Sequence, residues 1–241
     1  MIGQPRVHHR EAGSTNLLAR DLAAVGAPHG TLVTAGHQSA GRGRSDRVWV
    51  APPGSSVLMS VVVRPADPLL PLRAAVALCD VLDVLQGAHA PRTPRRPLAG
   101  DRLISIKWPN DVLVDGRKVA GILVEGRPQD GWAVLGVGVN VTSVPTDLED
   151  TATCLAEQGD PRGVPGVLDA LLTALASRIP QPAGEILADW RQRDALLGRE
   201  IAWEPDGAGT AAGVDEGGAL LVDTEDGRLR LDAGEVHLTR S

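Results

Sequence analysis

The chain has 241 residues, 43% of them hydrophobic and 22% charged, enough for one large domain, or one domain plus a small appendage, around a real core. That composition excludes a disordered chain. The longest strongly apolar stretch, residues 57–63, excludes a membrane-spanning helix, so no membrane partner is expected, and residues 1–16 lack the apolar core of a signal peptide. The formal net charge of −6 offers no global attraction for nucleic acid. Two cysteines, Cys79 and Cys154, supply neither a zinc site nor a disulfide framework, and a cytoplasmic location is expected.

Residues 15–25 read as an amphipathic helix with Ser14 or Thr15 at its N-cap. Residues 31–36 read as a strand, followed by a Gly/Pro/Arg loop over 37–55. Residues 57–63 form a continuous apolar run, the pattern of a buried strand, and 70–85 read as an apolar helix. The Pro/Arg-rich segment 87–101 is expected to be a surface excursion. Then comes a series of β-rich runs turned at Asp115-Gly116 and Asp130-Gly131, both hairpin signals. Helices are expected over 165–178 and 183–197. From about 199 short apolar runs (IAW, ALLV, LRL, VHL) alternate with Asp-Gly and Gly-Gly turns, the spacing of a small β-barrel. The fold class is α+β: a mixed sheet flanked by helices over 1–197, then a small β domain over 198–241.

Of 24 cationic residues only Lys107 and Lys118 are lysine, and the only asparagines are Asn16, Asn110 and Asn140. A compact ammonium and a broad planar guanidinium are not interchangeable, so lysines kept in an arginine-biased chain mark candidate sites. All five residues fall within three of four constellations. In the first, residues 36–49, Gly36, Gly41 and Gly43 let the backbone approach a ligand, while Arg42, Arg44 and Arg47 offer forks to phosphate or carboxylate. On composition alone a solvated loop is an equal reading, and Trp49 either stacks on a base or anchors the loop. The second, residues 107–125, carries Lys107, Pro109, Asn110 and Asp111 at a turn, with Lys118 and Gly121 on the return strand. A hairpin would bring Asp111 and Lys118 together. A plain hairpin is the alternative. The third is the Gly-Val-Gly-Val-Asn run at 136–140, whose glycines mark a close backbone approach and whose Asn140 would point into a cleft. The fourth, Ser14-Thr15-Asn16, also reads as a simple helix cap. The six histidines are dispersed and read as surface or capping residues.

In this order and spacing the pieces resemble biotin protein ligase: STN at 14–16, the Q-x-A-GRGR-x-x-R-x-W pattern over 38–49, KWPND at 107–111, RKVAGILVE at 117–125 and GVGVN at 136–140. The resemblance covers nearly the whole chain. It implies a catalytic domain akin to class II aminoacyl-tRNA synthetases with a C-terminal SH3-like domain. It also implies condensation of biotin and ATP to biotinyl-5′-AMP with Mg²⁺, then transfer of biotin to a lysine of a biotin carboxyl carrier domain of acetyl-CoA or a related acyl-CoA carboxylase. By the same resemblance Ser14, Thr15, Asn16, Gln38 and Gly121 line the biotin site. Gly41, Arg42, Gly43 and Arg44 form the loop over the adenylate, and Lys107 sits near the reacting carboxylate and phosphate. Trp49, Asn110, Lys118 and Asn140 lie toward the nucleotide, and Asp111 is the candidate for orienting the acceptor amine; no metal ligands are assigned. One departure is Asp46, where the family loop commonly has glycine, so φ > 0 is expected there on a residue that tolerates it. With 13 residues before Ser14, no winged helix fits, and no DNA binding is expected. A monomer or homodimer is equally compatible. A lipoate or octanoate transferase, a biotin sensor and a nucleic-acid binder are the rival readings.

Overall fold

The computed structural model describes residues 1–83, 103–205, 207–232, 234 and 236–238. The Pro/Arg-rich segment and the end of the second predicted helix lie outside them. Seven strands form one mixed sheet: β1 (Arg6–His9), β2 (Leu32–Ala35), β3 (Ser56–Val63), β4 (Ile104–Lys107), β5 (Asp111–Val114), β6 (Arg117–Arg127) and β7 (Trp132–Asn140). Their order is β1-β2-β3-β7-β6-β5-β4. The β1–β2 pair is parallel and the other pairs are antiparallel.

Alternate strand residues face opposite sides of a sheet, and here the two sides differ in chemistry. Val57, Met59, Val61, Ile106, Val112, Ala120, Ile122, Leu135 and Val137 join the main core beneath α2 (Leu70–Asp83) and α3 (Val164–Arg178). Each such large side chain, fully buried, contributes about 1.5–3 kcal/mol. The opposite face is only partly covered. Helix α1 (Thr15–Ala24) packs Ala19 and Ala23 against Val33, Val62, Trp132 and Val134 and leaves the rest of that face open.

Ser14 occupies the N-cap of α1 in extended geometry but makes no side-chain cap bond; Gln38 accepts the Thr15 N–H instead, at 2.7 Å. Helix α4 (Ala183–Arg191) stops six residues short of the predicted end. The reason is tertiary: residues 193–195 pair with β4, through Ile106 N to Arg193 O at 2.7 Å and Ala195 N to Ile106 O at 2.9 Å. Strand β1 was not predicted either, since Val7 is its only large apolar residue and lies exposed at the sheet edge.

The C-terminal module is a five-stranded antiparallel sheet: β8 (Glu200–Trp203), β9 (Gly207–Val214), β10 (Leu220–Thr224), β11 (Gly227–Leu231) and β12 (Val236–Leu238), ordered β11-β10-β9-β8-β12. Strand β9, rich in glycine and alanine, is the one the apolar runs do not reveal. A Cβ at Gly207 would run into the Trp203 indole, so the bare backbone is what lets the strands close. The module's Ile201, Val214, Leu220 and Val222 belong to the same core cluster as the main sheet. Among the described residues no helix is long and apolar enough to cross a membrane.

Candidate active site

The register of the main sheet sets a transverse row on its open face. Lys107 pairs with Asp111, Asp111 with Gly121, Gly121 with Gly138, and Gly138 with Leu58. One row along, Leu123, Gly136 and Ser60 are paired in the same way. Apart from Ser60, which is buried beneath it, the residues of these rows floor a cleft of about 810 Å³, walled by residues of α1, the Gly/Arg loop and β12.

One end of the cleft is neutral and hydrogen-bonding. Thr15 Oγ1 donates to Gln38 Oε1 at 3.0 Å. Ser60 Oγ lies 2.8 Å from Thr15 Oγ1 and 2.7 Å from Asn16 Oδ1, and with a single proton it donates to one of them at a time. The Asn16 amide nitrogen donates to Glu125 Oε2 at 2.9 Å. A Cβ at Gly136 would collide with Asn16 Oδ1, so this glycine makes room for the asparagine.

The other end is cationic. Lys118 Nζ stands 2.6 Å from Asp111 Oδ1, the proximity expected of the hairpin, and 5.6 Å from the Trp49 ring centroid. Lys107 Nζ forms no hydrogen bond or ion pair with a described residue, although the Lys107 carbonyl accepts the Asn110 N–H at 3.2 Å. Burial pushes its pKa below the usual lysine value, with Asp111 opposing and Lys118 and Arg47 adding to the shift. Burial likewise lowers Arg44, again opposed by Asp111; Arg44 also reaches Gly234 O of the C-terminal module at 3.5 Å. Asn110 donates its amide to Ile122 O at 3.0 Å, and Asn140 to Thr153 O at 3.2 Å.

The Gly/Arg loop is a short two-stranded ribbon. Arg42 bridges Val48, Gly43 N donates to Arg47 O at 2.7 Å and Trp49 N to Gly41 O at 3.1 Å. Its tip turns through Ser45 and Asp46, at φ 51° and 58°, so Asp46 adopts the left-handed backbone anticipated for that position. The Trp49 ring lies against the floor glycines: a Cβ would come within 2.7 Å of it at Gly121 and 2.5 Å at Gly138. Trp49 Nε1 is buried with no hydrogen-bond partner among the described residues.

Ser14, Thr15, Asn16, Gln38, Arg42, Gly43, Arg44, Trp49, Lys107, Asn110, Asp111, Lys118, Gly121 and Asn140 all line this one cleft. Gly41 is the exception. It is buried behind the loop, where a Cβ would strike the Trp49 carbonyl oxygen; it sets the ribbon's geometry and does not face the cleft. Ser60 and Glu125 were missed. Strand alternation from Gly121 through Leu123 to Glu125 was the available signal for the second, while Ser60 was hidden inside an apolar run. Among the described residues no three His, Cys, Asp or Glu gather as a metal cage.

Residues 12–141 match the model of the Biotin/lipoate A/B protein ligase family, and residues 208–238 that of the biotin protein ligase C-terminal domain. A biotin–[acetyl-CoA-carboxylase] ligase of Mycobacterium tuberculosis is 36% identical, over 94% of this chain and 86% of that protein. Its namesake from Paracoccus denitrificans is 35% identical, over 92% and 96%. The biotin protein ligase of Aquifex aeolicus, solved with biotin and ATP, superposes with a TM-score of 0.78 at 26% identity, covering 99% of this chain and 100% of that one.

Proposed function

The chain belongs to the biotin/lipoate A/B protein ligase family, and we propose that its cleft is the active site of a biotin protein ligase. The enzyme activates biotin with ATP to biotinyl-5′-AMP and transfers the biotinyl group to a lysine of a carrier domain of a biotin-dependent carboxylase. The observation that carries the site assignment is the polarity of the cleft: neutral hydrogen-bonding groups at one end, cations at the other, on one sheet face.

That layout suits a neutral bicyclic ring whose carboxylate tail must meet a polyphosphate. In this reading Ser14, Thr15, Asn16 and Gln38 receive the ring. The biotin carboxylate oxygen attacks the α-phosphorus of ATP, and the bond to pyrophosphate breaks. Two anions must approach for this to happen. Lys107, Lys118 and the Arg44 guanidinium screen their repulsion from positions fixed before reaction, in a half-buried setting where charge is poorly shielded by water. Trp49, Asn110 and Asn140 lie on the nucleotide side. In the second step the acceptor amine loses a proton, its nitrogen attacks the acyl carbon, and the bond to AMP breaks. Asp111 is the carboxylate placed to orient that amine, with Lys118 holding it. The ribbon of residues 41–49 walls the cleft and excludes water from the anhydride.

The described residues do not build a magnesium cage. Mg²⁺, which shares the charge of a leaving pyrophosphate, would be held mainly through the phosphates and water, and no step is assigned to it. The acceptor in this reading is a carrier domain of acetyl-CoA or a related acyl-CoA carboxylase, encountered in the cytoplasm. We further propose that residues 198–241 are the C-terminal SH3-like domain.

The test is biotin-dependent ATP–pyrophosphate exchange, with lipoate as the control. Exchange with biotin alone is expected. Exchange with lipoate would instead assign the sister activity, and biotin binding without exchange would make the protein a sensor.

A further inference from the structure

We infer that Glu125 is a positioning residue that holds the biotin end of the cleft together; this rests on the ligase reading above. Glu125 sits on β6, on the same face as Gly121 and Leu123, but its carboxylate lies behind Asn16 and does not line the cleft. Its two oxygens have different partners. Oε2 accepts the Asn16 amide at 2.9 Å. Oε1 faces two guanidinium groups, Arg20 at 3.3 Å and Arg42 at 3.2 Å.

The first contact decides which way an amide points. With its nitrogen held by Glu125, the buried Asn16 must present Oδ1 toward Ser60 and Gly136, so a flipped amide would set two acceptors, Glu125 and Asn16 Oδ1, against each other. The second contact joins α1, β6 and the Gly/Arg ribbon through one carboxylate. Arg42 is the cleft-lining residue of that ribbon, so the carboxylate ties the ribbon to the cleft floor. One negative charge is shared by two positive ones. Arg20 and Arg42 together therefore offset the carboxylate, so that no net negative charge stands behind the uncharged hydrogen-bonding end of the cleft.

The two tasks separate by substitution. Glu125→Gln keeps an acceptor for Asn16 and loses the charge that holds Arg42; Glu125→Ala loses both. The experiment uses the full chain, measuring biotin-dependent exchange with biotin and ATP varied separately, release of biotinyl-AMP, and thermal unfolding. Glu125→Ala is expected to raise the KM for biotin about tenfold, the worth of a hydrogen bond to a charged group, with kcat and the KM for ATP within about twofold on the same basis. Glu125→Gln is expected to restore the biotin KM to near the parent value. Both variants should release biotinyl-AMP faster, by about fivefold, the scale of a partly exposed ion pair.

A biotin KM and a release rate unchanged in both variants, whatever the melting temperature does, would overturn the inference. So would a parallel rise in both substrates' KM values. Should Glu125→Ala fail to fold, unchanged adenylate release in Glu125→Gln is sufficient to overturn the tie to Arg42. The parent protein separates the two levels: no biotin-dependent exchange in it removes the ligase reading and this role with it, whereas exchange with indifferent variants removes this role alone.

Discussion

Lys107 is a cation held where its charge is costly. Burial depresses its pKa, and the Asp111 carboxylate only partly opposes the shift. Below the lowered folded value the ammonium is present in both folded and unfolded chains, and the folded state bears the desolvation cost in full. Between that value and the ordinary lysine value the unfolded chain binds more protons, so stability rises with pH. At neutral pH Lys107 therefore opposes folding. Lys107→Met is expected to leave the melting temperature unchanged or raise it while abolishing biotinyl-AMP synthesis. Calorimetry and a radiolabelled adenylate assay read the two effects; a large fall in melting temperature, or near-normal synthesis, would refute the role. In the parent, exchange activity is expected to fall as pH rises through the lowered lysine pKa, because the screening ammonium is then lost; a pH–rate profile checks this.

Strand β7 shows why a run of glycines can be a site. Gly136 and Gly138 face the same side, two residues apart, and each leaves room for a different ligand-facing group: Asn16 over the first and Trp49 over the second. Forcing a methyl group into a packed contact costs about 1–3 kcal/mol, and here the displaced neighbour decides what is lost. Gly136→Ala should raise the KM for biotin about tenfold and spare that for ATP. Gly138→Ala should do the reverse, because the Trp49 ring moves toward the nucleotide. Initial-rate measurements with each substrate varied in turn distinguish the two; identical effects would mean that the strand, rather than the groups above it, had been damaged.

The open face keeps its shape because the opposite one is tied down. Arg178 is buried between α2, α3 and α4, bidentate to Asp80 at 2.6 and 2.7 Å and paired with Asp189. Arg73 reaches Asp67 and the Gln181 carbonyl, and Arg193 reaches Asp83. Removing one partner of a buried pair leaves uncompensated charge, at a cost of about 3–5 kcal/mol. Because Asp80 and Asp189 are themselves partly exposed, Arg178→Ala is expected to lower stability by less, about 1.5–3 kcal/mol, in denaturant unfolding, with substrate KM values unchanged where the variant remains folded. The C-terminal module is held as firmly. Trp108 Nε1 donates to Gly218 O at 3.0 Å, Arg191 donates to Val214 O at 2.9 Å, and a Cβ on Gly218, at φ 83°, would press on Leu69. The residue beside Lys107 is thus fixed by a turn more than a hundred positions away.

Several features were readable from residues close in the chain. The long apolar run of β3, the turns at Asp115-Gly116 and Asp130-Gly131, the helices α1 to α3, and the meeting of Asp111 with Lys118 seven residues on all follow from periodicity, turn chemistry and hairpin geometry. The scarcity of lysine and asparagine pointed to five residues, and all five line the cleft. Contacts between distant residues carry no such signature. Gln38 caps the helix at Thr15 from 23 positions away, and Asn16 meets Glu125 across 109. Strand β1 pairs in parallel through a crossover, and α4 ends early because β4 takes the backbone that a helical pattern would have kept. Local propensity describes what each segment prefers alone; which carboxylate, hydroxyl or sheet edge it finally faces depends on how segments far apart in the chain fill one another's unsatisfied hydrogen bonds and apolar surface.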